Sequence, residues 1–417
     1  MRDRGSGHGT APAPVAHNEG REPADLLLGC LSGSHESIAN WNGVADSADW
    51  HGLAPLLFKR LKQADGRTRV PADVWERLRL AYFAGADRNA RLYRALRTVL
   101  GGLSGAGIPL IVLKGAFLAE AVYRDVAVRW MCDADLMVPR SEAARSQAVL
   151  LDMGGVPKYS EDIESRCRRD AHLPEVVFHD FVIEIHWTIA SPTGPVRIDV
   201  PGLWDRARPA SVAGVSVLAL SPEDLLLHLC LHSSYREGFK AGLRPLCDIA
   251  EAILRFHDDM DWAQVVSRAH EWGAARYAGL TFHLARSMLG AEVPDDVLAR
   301  LVPEGIDRRM LATARESILG TTDFRQSARR IDNLAAMPLS EKAKHSRERI
   351  FLSRAEMAAR YPASRDAGSL FPYYVLRFRD VLRTSAVLAL RRGLPVLRSR
   401  TQDRTVALAN WLRSGKL

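Results

Sequence analysis

The sequence has few cysteines and no apolar run long enough to cross a bilayer. Its five cysteines are widely spaced and include no CxxC pair; they are Cys30, Cys132, Cys167, Cys230 and Cys247. This pattern argues against a disulfide framework and against a structural zinc site, so a reducing cytoplasm is the expected compartment. A membrane-spanning helix needs about 20 apolar residues in succession, and no stretch approaches that length, so no transmembrane segment is expected.

The N-terminus lacks the apolar core of a secretory signal. Residues 1–24 are rich in Gly, Pro and Ala, a composition that cannot bury a core, and we predict a disordered arm there. The remainder has the composition of an ordinary globular protein, with 47% hydrophobic and 25% charged residues. A length of 417 residues favours two or three structural units.

Positive charge is concentrated at the C-terminus. Residues 374–417 contain ten Arg or Lys and two Asp, which accounts for the net charge of +8 of the whole chain. The segment 361–417 is therefore predicted to be basic and helical. It could bind an acidic partner such as RNA, an acidic peptide or a membrane surface, or it could pack its Leu/Val face on the body of the protein. The sequence alone leaves both alternatives open.

Hydrophobic spacing divides the rest of the chain into three regions. Residues 25–100 and 201–360 have helical spacing, and Ser221-Pro222 is typical of a helix start. Residues 101–200 alternate strands with helices; the strand-like runs are 108–113, 129–138, 175–178 and 181–187. The predicted fold class is thus mixed α+β, a small mixed sheet with helices embedded in a mainly helical protein.

Three acidic residues lie in the predicted strands. Asp133 and Asp135 are two residues apart and therefore share one face of a strand. Glu184 lies in the later strand and would complete a three-carboxylate cluster if the two strands were neighbours. Like charges so close together resist ionisation, and a divalent cation such as Mg²⁺ relieves the conflict. Solvated acids at strand ends are the alternative, which Glu184 and the turn after residue 113 make less favourable.

The turn after the first strand carries Lys114 and Gly115. A glycine there lets backbone N–H groups approach a phosphate, and Lys114 adds a positive charge, although the GxxxxGK[ST] motif is absent. Arg129 either binds phosphate or pairs with Asp133 or Asp135. His186 shares the Glu184 face and contacts metal, phosphate or acceptor, or is a core histidine.

Four further residues are candidates either for a site or for the core. His228 and His232 are spaced for one helix face and could bind zinc, but with no third ligand evident core packing is favoured. His172 is a weaker candidate for the site. Asp248 is expected to cap a helix or to pair between helices.

Together, IVLKGAFLAEAVY, DADLMV and VIEIHW resemble the nucleotidyltransferase superfamily of DNA polymerase β type. More narrowly, they resemble its bacterial branch of uncharacterised nucleotidyltransferases, NTP_transf_5. The resemblance extends over roughly residues 25–350 and includes LSPEDLLLHLCLH. The chain departs from the wider superfamily in having Lys114-Gly115-Ala116 in place of a Gly-Ser turn, a longer gap to Asp133, and Glu as the third acid.

The resemblance implies an enzyme that moves an NMP group from an NTP to an acceptor hydroxyl or phosphate. Asp133, Asp135 and Glu184 would bind Mg²⁺ or Mn²⁺, and Glu184 would assist deprotonation of the acceptor. Lys114, Gly115, Arg129 and His186 are the candidate nucleotide-binding residues. The acceptor, whether a small molecule, a peptide or tRNA, is not specified by the sequence. The alternative is a catalytically degenerate adaptor that binds a protein partner.

Overall fold

The computed structural model describes residues 22–33, 38–158, 163–320, 357, 361, 369–377, 379 and 400–415. Most of the predicted N-terminal arm lies outside these residues, as do the predicted helical residues 321–356 and much of the basic C-terminal segment. Within the described part of the chain, no helix is long and apolar enough to cross a membrane.

Helices precede and follow a central sheet. The helices are α1 (Pro23–Ser32), α2 (Trp41–His51), α3 (Ala54–Gln63), α4 (Ala72–Gly105), α5 (Lys114–Phe117), α6 (Ala143–Asp152), α7 (Ile163–Arg169), α8 (Val200–Asp205), α9 (Pro222–Leu231), α10 (Arg244–Arg255), α11 (Trp262–Glu271), α12 (Ala275–Leu289), α13 (Asp295–Leu301), α14 (Arg308–Leu319) and α15 (Arg400–Ser414). Buried apolar side chains from the sheet and from both helical regions form one continuous core.

The sheet of the described chain has seven strands of mixed direction. They are β1 (Ile111–Val112), β2 (Asp133–Met137), β3 (Val156–Pro157), β4 (Val176–Phe178), β5 (Phe181–His186), β6 (Arg208–Val212) and β7 (Val215–Ala219). Their order across the sheet is β3-β4-β5-β2-β1-β7-β6. The pairs β2–β5 and β1–β7 are parallel, and the other neighbours are antiparallel. This architecture confirms the predicted mixed fold class.

The hairpin of β6 and β7 corrects the sequence analysis, which expected helices after residue 200. The two strands extend the sheet beyond β1, and they are joined at Ala213 and Gly214, both of which have positive φ (55° and 72°). Two residues with positive φ form the tight turn that suits a hairpin. The turn was not recognised because alanine rarely adopts this conformation.

The helix start predicted at Ser221 is confirmed. Ser221 caps α9, its hydroxyl oxygen accepting a hydrogen bond from the backbone N–H of Asp224, and Pro222 occupies the first turn. The last turn of α9 runs into a π-helical turn, His232–Arg236, and α5 runs into another, Leu118–Val122. A π-helical turn shifts the direction of the side chains that follow it and frequently marks a functional region.

Candidate active site

Parallel pairing of β2 with β5 brings the predicted acidic residues together. Asp135 lies opposite Glu184, and Asp133 lies opposite Val182. Directly paired residues of neighbouring strands project from the same face of the sheet. Asp133, Asp135, Glu184 and His186 therefore share one face, while Ala134 and Ile183 are buried on the other. The sequence pattern predicted the shared face of each strand, and the fold adds their adjacency.

Asp135 is the centre of the site and is 4% exposed. Its Oδ1 atom lies 2.9 Å from Lys114 Nζ and 3.0 Å from His186 Nε2. His186 Nε2 is also 3.3 Å from Glu184 Oε2, so one ring nitrogen faces both carboxylates. The other ring nitrogen, Nδ1, is buried without a hydrogen-bond partner. Lys114 and His186 thus supply positive charge to two closely spaced acids.

The charges of the site set opposite protonation tendencies for its acids. Burial alone would raise the pKa of Asp135, but Lys114 and His186 hold it well below its ordinary value. Burial also opposes ionisation of Glu184, whose pKa is nevertheless lowered by the hydrogen bond from His186. The pKa of Asp133 is raised, first by burial and then by the neighbouring Asp135 charge. Asp135 and Glu184 are therefore the groups held ionised.

Asp135, Glu184 and His186 could hold a metal ion. One potential ligand atom from each lies within 4.8 Å of the others, and two carboxylate oxygens with an imidazole nitrogen suit a divalent cation. In this structure Lys114 and His186 lie against the acids, where a bound cation would also balance their negative charge. Asp133 is outside this group of three, although it lies on the same strand face two residues from Asp135.

The turn at Lys114 and Gly115 is tightly constrained. Lys114 has a positive φ of 35°, a conformation that side-chain-bearing residues rarely adopt. A Cβ atom added to Gly115 would lie 2.8 Å from Arg129 Nη1 and 3.2 Å from Met131 Sδ. A larger residue at this position would therefore require the Arg129 and Met131 side chains to shift.

Arg129 pairs with Asp248 rather than with the aspartates of β2. Its Nε and Nη2 atoms donate to the two carboxylate oxygens of Asp248, at 2.9 and 2.8 Å, and Tyr123 donates to the same carboxylate at 3.0 Å. Desolvation disfavours the charged guanidinium, but the Asp248 carboxylate outweighs it and raises the pKa of Arg129. The sequence analysis expected Asp248 to cap a helix or to pair between helices; instead its carboxylate ties the segment before β2 to α10.

His172 lies beside His186, and two arginines that the sequence analysis did not single out lie beside His172. His172 pairs with His186 through the backbone, and the two ring centroids are 5.2 Å apart. With Nδ1 assigned as donor to the carbonyl of Leu173 (2.9 Å), Nε2 accepts from Arg236 Nη2 at 3.1 Å and lies 3.4 Å from Arg166 Nη2. The two guanidinium groups therefore lie against the His172 ring.

The signal for Arg236 is its spacing: it follows His228 and His232 at four-residue intervals. His228 is buried and His232 is partly buried. Burial, followed by the positive charge of Lys114, holds the pKa of each well below its ordinary value. Among the described residues, neither joins a group of three metal-binding side chains. Their surroundings agree with the core-packing interpretation and give no support to a zinc site.

Comparison with known proteins gives one family match. A sequence model described as an uncharacterised nucleotidyltransferase, NTP_transf_5, matches residues 37–290. No curated protein matches.

Two solved structures share a limited likeness with the chain. The solution structure of the antibiotic-resistance factor ANT(2″)-Ia has 16% identity and a TM-score of 0.33, covering 47% of this chain and 97% of that one. The crystal structure of ANT(2″)-Ia with adenylyl-2″-tobramycin has 15% identity and a TM-score of 0.32, covering 43% and 96%.

Proposed function

Because the chain belongs to the uncharacterised nucleotidyltransferase family, we propose that it transfers an NMP group from an NTP to an acceptor hydroxyl or phosphate and releases pyrophosphate. The observation that supports this proposal best is the buried pairing of Asp135 with Glu184 on neighbouring parallel strands. Two ionised acids on one sheet face, with Asp133 beside them, are costly to maintain. A reaction on a charged phosphate group would explain why the chain maintains this arrangement.

In the proposed reaction, the acceptor oxygen attacks the α-phosphorus of the NTP. A bond forms between that oxygen and the α-phosphorus, and the bond from the α-phosphorus to the bridging oxygen breaks. Pyrophosphate leaves with the bonding electron pair. The acceptor proton passes to Glu184, whose lowered pKa keeps the carboxylate ionised and able to accept a hydrogen bond. An acceptor that is already ionised omits the proton transfer.

The remaining residues position charge. Asp133, Asp135 and Glu184 are the proposed ligands of Mg²⁺ or Mn²⁺, with His186 within reach of the same place. A divalent cation bound there would neutralise phosphate charge and orient the triphosphate. Lys114 and the backbone at Gly115 would hold the phosphates, while Arg129 would act through its contact with Gly115. Positioning and charge neutralisation supply most of the rate enhancement in such reactions.

Calorimetric titration of the full chain with each NTP, in the presence and absence of Mg²⁺ or Mn²⁺, tests this proposal. We expect metal-dependent binding that weakens at least tenfold in Asp135→Asn and in Glu184→Gln. Asp180→Asn, at the exposed turn before β5, is the matched control and should bind as the wild type does. Equal binding by all four proteins, or none by the wild type, would contradict the proposal. A folded protein without a divalent-ion site would instead favour the adaptor.

The acceptor requires a separate experiment. Incubation of the protein with the bound NTP and a cell extract, followed by mass spectrometry, should reveal a product heavier by one NMP group. The Asp135→Asn variant should give no such product. A modified peptide, tRNA or small molecule would each identify the acceptor class directly.

A further inference from the structure

The side chains of the candidate site follow a fixed order across the sheet. β1 lies beside β2, and β2 lies beside β5. On the other side of β5, the side of β4, His172 pairs with His186 in antiparallel register. Directly opposite residues project from the same face of a sheet, so His172 shares the face of the acids. The order on this face is therefore Lys114 after β1, Asp135 on β2, Glu184 and His186 on β5, and then His172.

Arg236 contacts His172 at the outer end of this order. It is the last residue of the π-helical turn and is exposed to solvent. Its Nη2 atom lies 3.1 Å from His172 Nε2, in a ring that is 3% exposed and whose Nδ1 atom lies 2.9 Å from the Leu173 carbonyl oxygen. The guanidinium is thus held against a buried ring, and a group that is already held loses less entropy when it binds a ligand.

The charge of Arg236 is not balanced by a neighbouring acid. Arg166, on the same histidine, is paired: its Nη2 atom lies 3.0 Å from Asp170 Oδ2, and its Nε donates to the His172 carbonyl at 3.0 Å. Within the described part of the chain, Arg236 has no carboxylate within salt-bridge distance, and its hydrogen bond is the one to His172. A guanidinium carries more N–H donors than this one bond uses, so Arg236 can also bind an oxyanion.

The charges of Lys114 and Arg236 act on the same two histidines of the site. The pKa of His228 is lowered first by burial and then by Lys114, and Arg236 contributes to the same lowering. The pKa of His232 is lowered by the same three causes, burial again being the largest. Lys114 acts from the end of β1 and Arg236 from beyond β5. The candidate acids therefore lie between two cations in the order of the sheet.

We propose that Arg236, held by His172, binds an anionic group of the acceptor, either a carboxylate or a phosphate. The inference rests on the proposed function and adds to it the charge of the acceptor. Lys114, on the β1 side, is assigned to the triphosphate, and Glu184, on β5, to the acceptor proton. An oxyanion at Arg236 lies on the Glu184 side of this arrangement and so belongs to the acceptor. A guanidinium suits both anions because its planar fork binds two oxygens at once.

Inorganic phosphate and acetate are the probes, each titrated into the full chain saturated with Mg²⁺ and a non-hydrolysable NTP analogue. The analogue keeps the triphosphate position occupied. We expect the wild type to bind at least one probe and Arg236→Gln to raise its Kd at least about tenfold, the effect of losing a charged hydrogen-bond donor. The affinity for the NTP analogue should not change. Binding of phosphate alone would specify a phosphate-bearing acceptor, whereas binding of acetate would specify that the site accepts a carboxylate.

Arg300→Gln is the matched control, because it removes the same charge from an exposed position of α13. Its affinities for the probes and for the NTP analogue should equal those of the wild type. No binding of either probe by the wild type, or equal probe affinity in Arg236→Gln, would overturn the acceptor subsite alone. Weaker binding of the NTP analogue by Arg236→Gln would assign Arg236 to the triphosphate and would also overturn it. If the wild type binds no NTP, the proposed function fails as well.

Discussion

Lys114 combines an unfavourable backbone conformation with a buried ion pair. Its positive φ is a cost that glycine would avoid, whereas its ammonium group is a principal partner of Asp135. A residue that keeps a strained conformation at a site is held there by its surroundings. Two substitutions at this position separate the effect of the backbone conformation from the effect of the side-chain charge.

We expect Lys114→Ala and Lys114→Gly to weaken NTP binding equally, by at least tenfold, since both remove a charged hydrogen-bond donor. The glycine variant should be the more stable of the two by about 1 kcal/mol, because glycine adopts positive φ without a Cβ clash. Urea denaturation and calorimetry measure the two effects. Identical unfolding midpoints for the two variants would show that the backbone at Lys114 is unstrained.

His228 offers a prediction on pH. Its pKa is well below the ordinary value in the folded protein, so below about pH 6.5 the unfolded chain binds a proton that the folded chain does not. Stability is therefore lost as the pH falls, by up to about 1.4 kcal/mol per pH unit for each such histidine. His228→Leu should reduce this slope. The measurement is the urea midpoint of the wild type and of the variant at pH 7.5, 6.0 and 5.0. The same dependence of the midpoint on pH in both proteins would contradict the prediction.

At the scale of elements, the Arg129–Asp248 pair joins the segment before β2 to α10. Both side chains are almost completely buried, so removal of one partner leaves an uncompensated charge. Asp248→Ala is expected to lower the free energy of unfolding by about 3–5 kcal/mol. The exposed pair of Arg77 with Asp46 is the control, and Asp46→Ala should cost no more than about 1 kcal/mol. Similar losses in the two variants, measured by urea denaturation, would show that burial does not strengthen the tether.

The sequence predicted which site residues share a strand face, but it did not predict which distant residues they contact. Alternation placed Asp133 with Asp135 and Glu184 with His186 on single strand faces, because strand geometry is local. The partner of Arg129 is 119 residues away, and no local pattern specifies such a distance. The π-helical turn that presents Arg236 to His172 also escaped prediction, because five residues are too short a stretch for hydrophobic periodicity to separate it from an α-helix.

At the scale of the whole molecule, α15 is part of the folded body. Leu408, Trp411 and Leu412 are buried, and Arg404 Nη1 lies 3.2 Å from Glu316 Oε1 of α14. For this part of the basic segment, packing against the protein accounts for the apolar residues. The predicted acidic partner remains a prediction for the segment as a whole.

We therefore expect Trp411→Ala to lower the free energy of unfolding by about 3 kcal/mol or more, with NTP affinity unchanged because none of the described side chains of α15 belongs to the candidate site. Asn410→Ala, on the exposed face of the same helix, should change stability by less than about 0.5 kcal/mol. Urea denaturation and NTP titration of both variants check the two parts. Loss of NTP affinity in folded Trp411→Ala would link α15 to the site.

The two outer strands of the sheet share one feature: β3 ends in Pro157 and β6 contains Pro209. Proline has no backbone N–H to donate, so each edge offers an incomplete ladder to any strand that approaches it. An unprotected edge would invite pairing between copies and, eventually, aggregation. Each outer edge of the sheet that positions the acids is thus a poorer template for another strand, and we expect the protein to resist edge-to-edge association when it is concentrated.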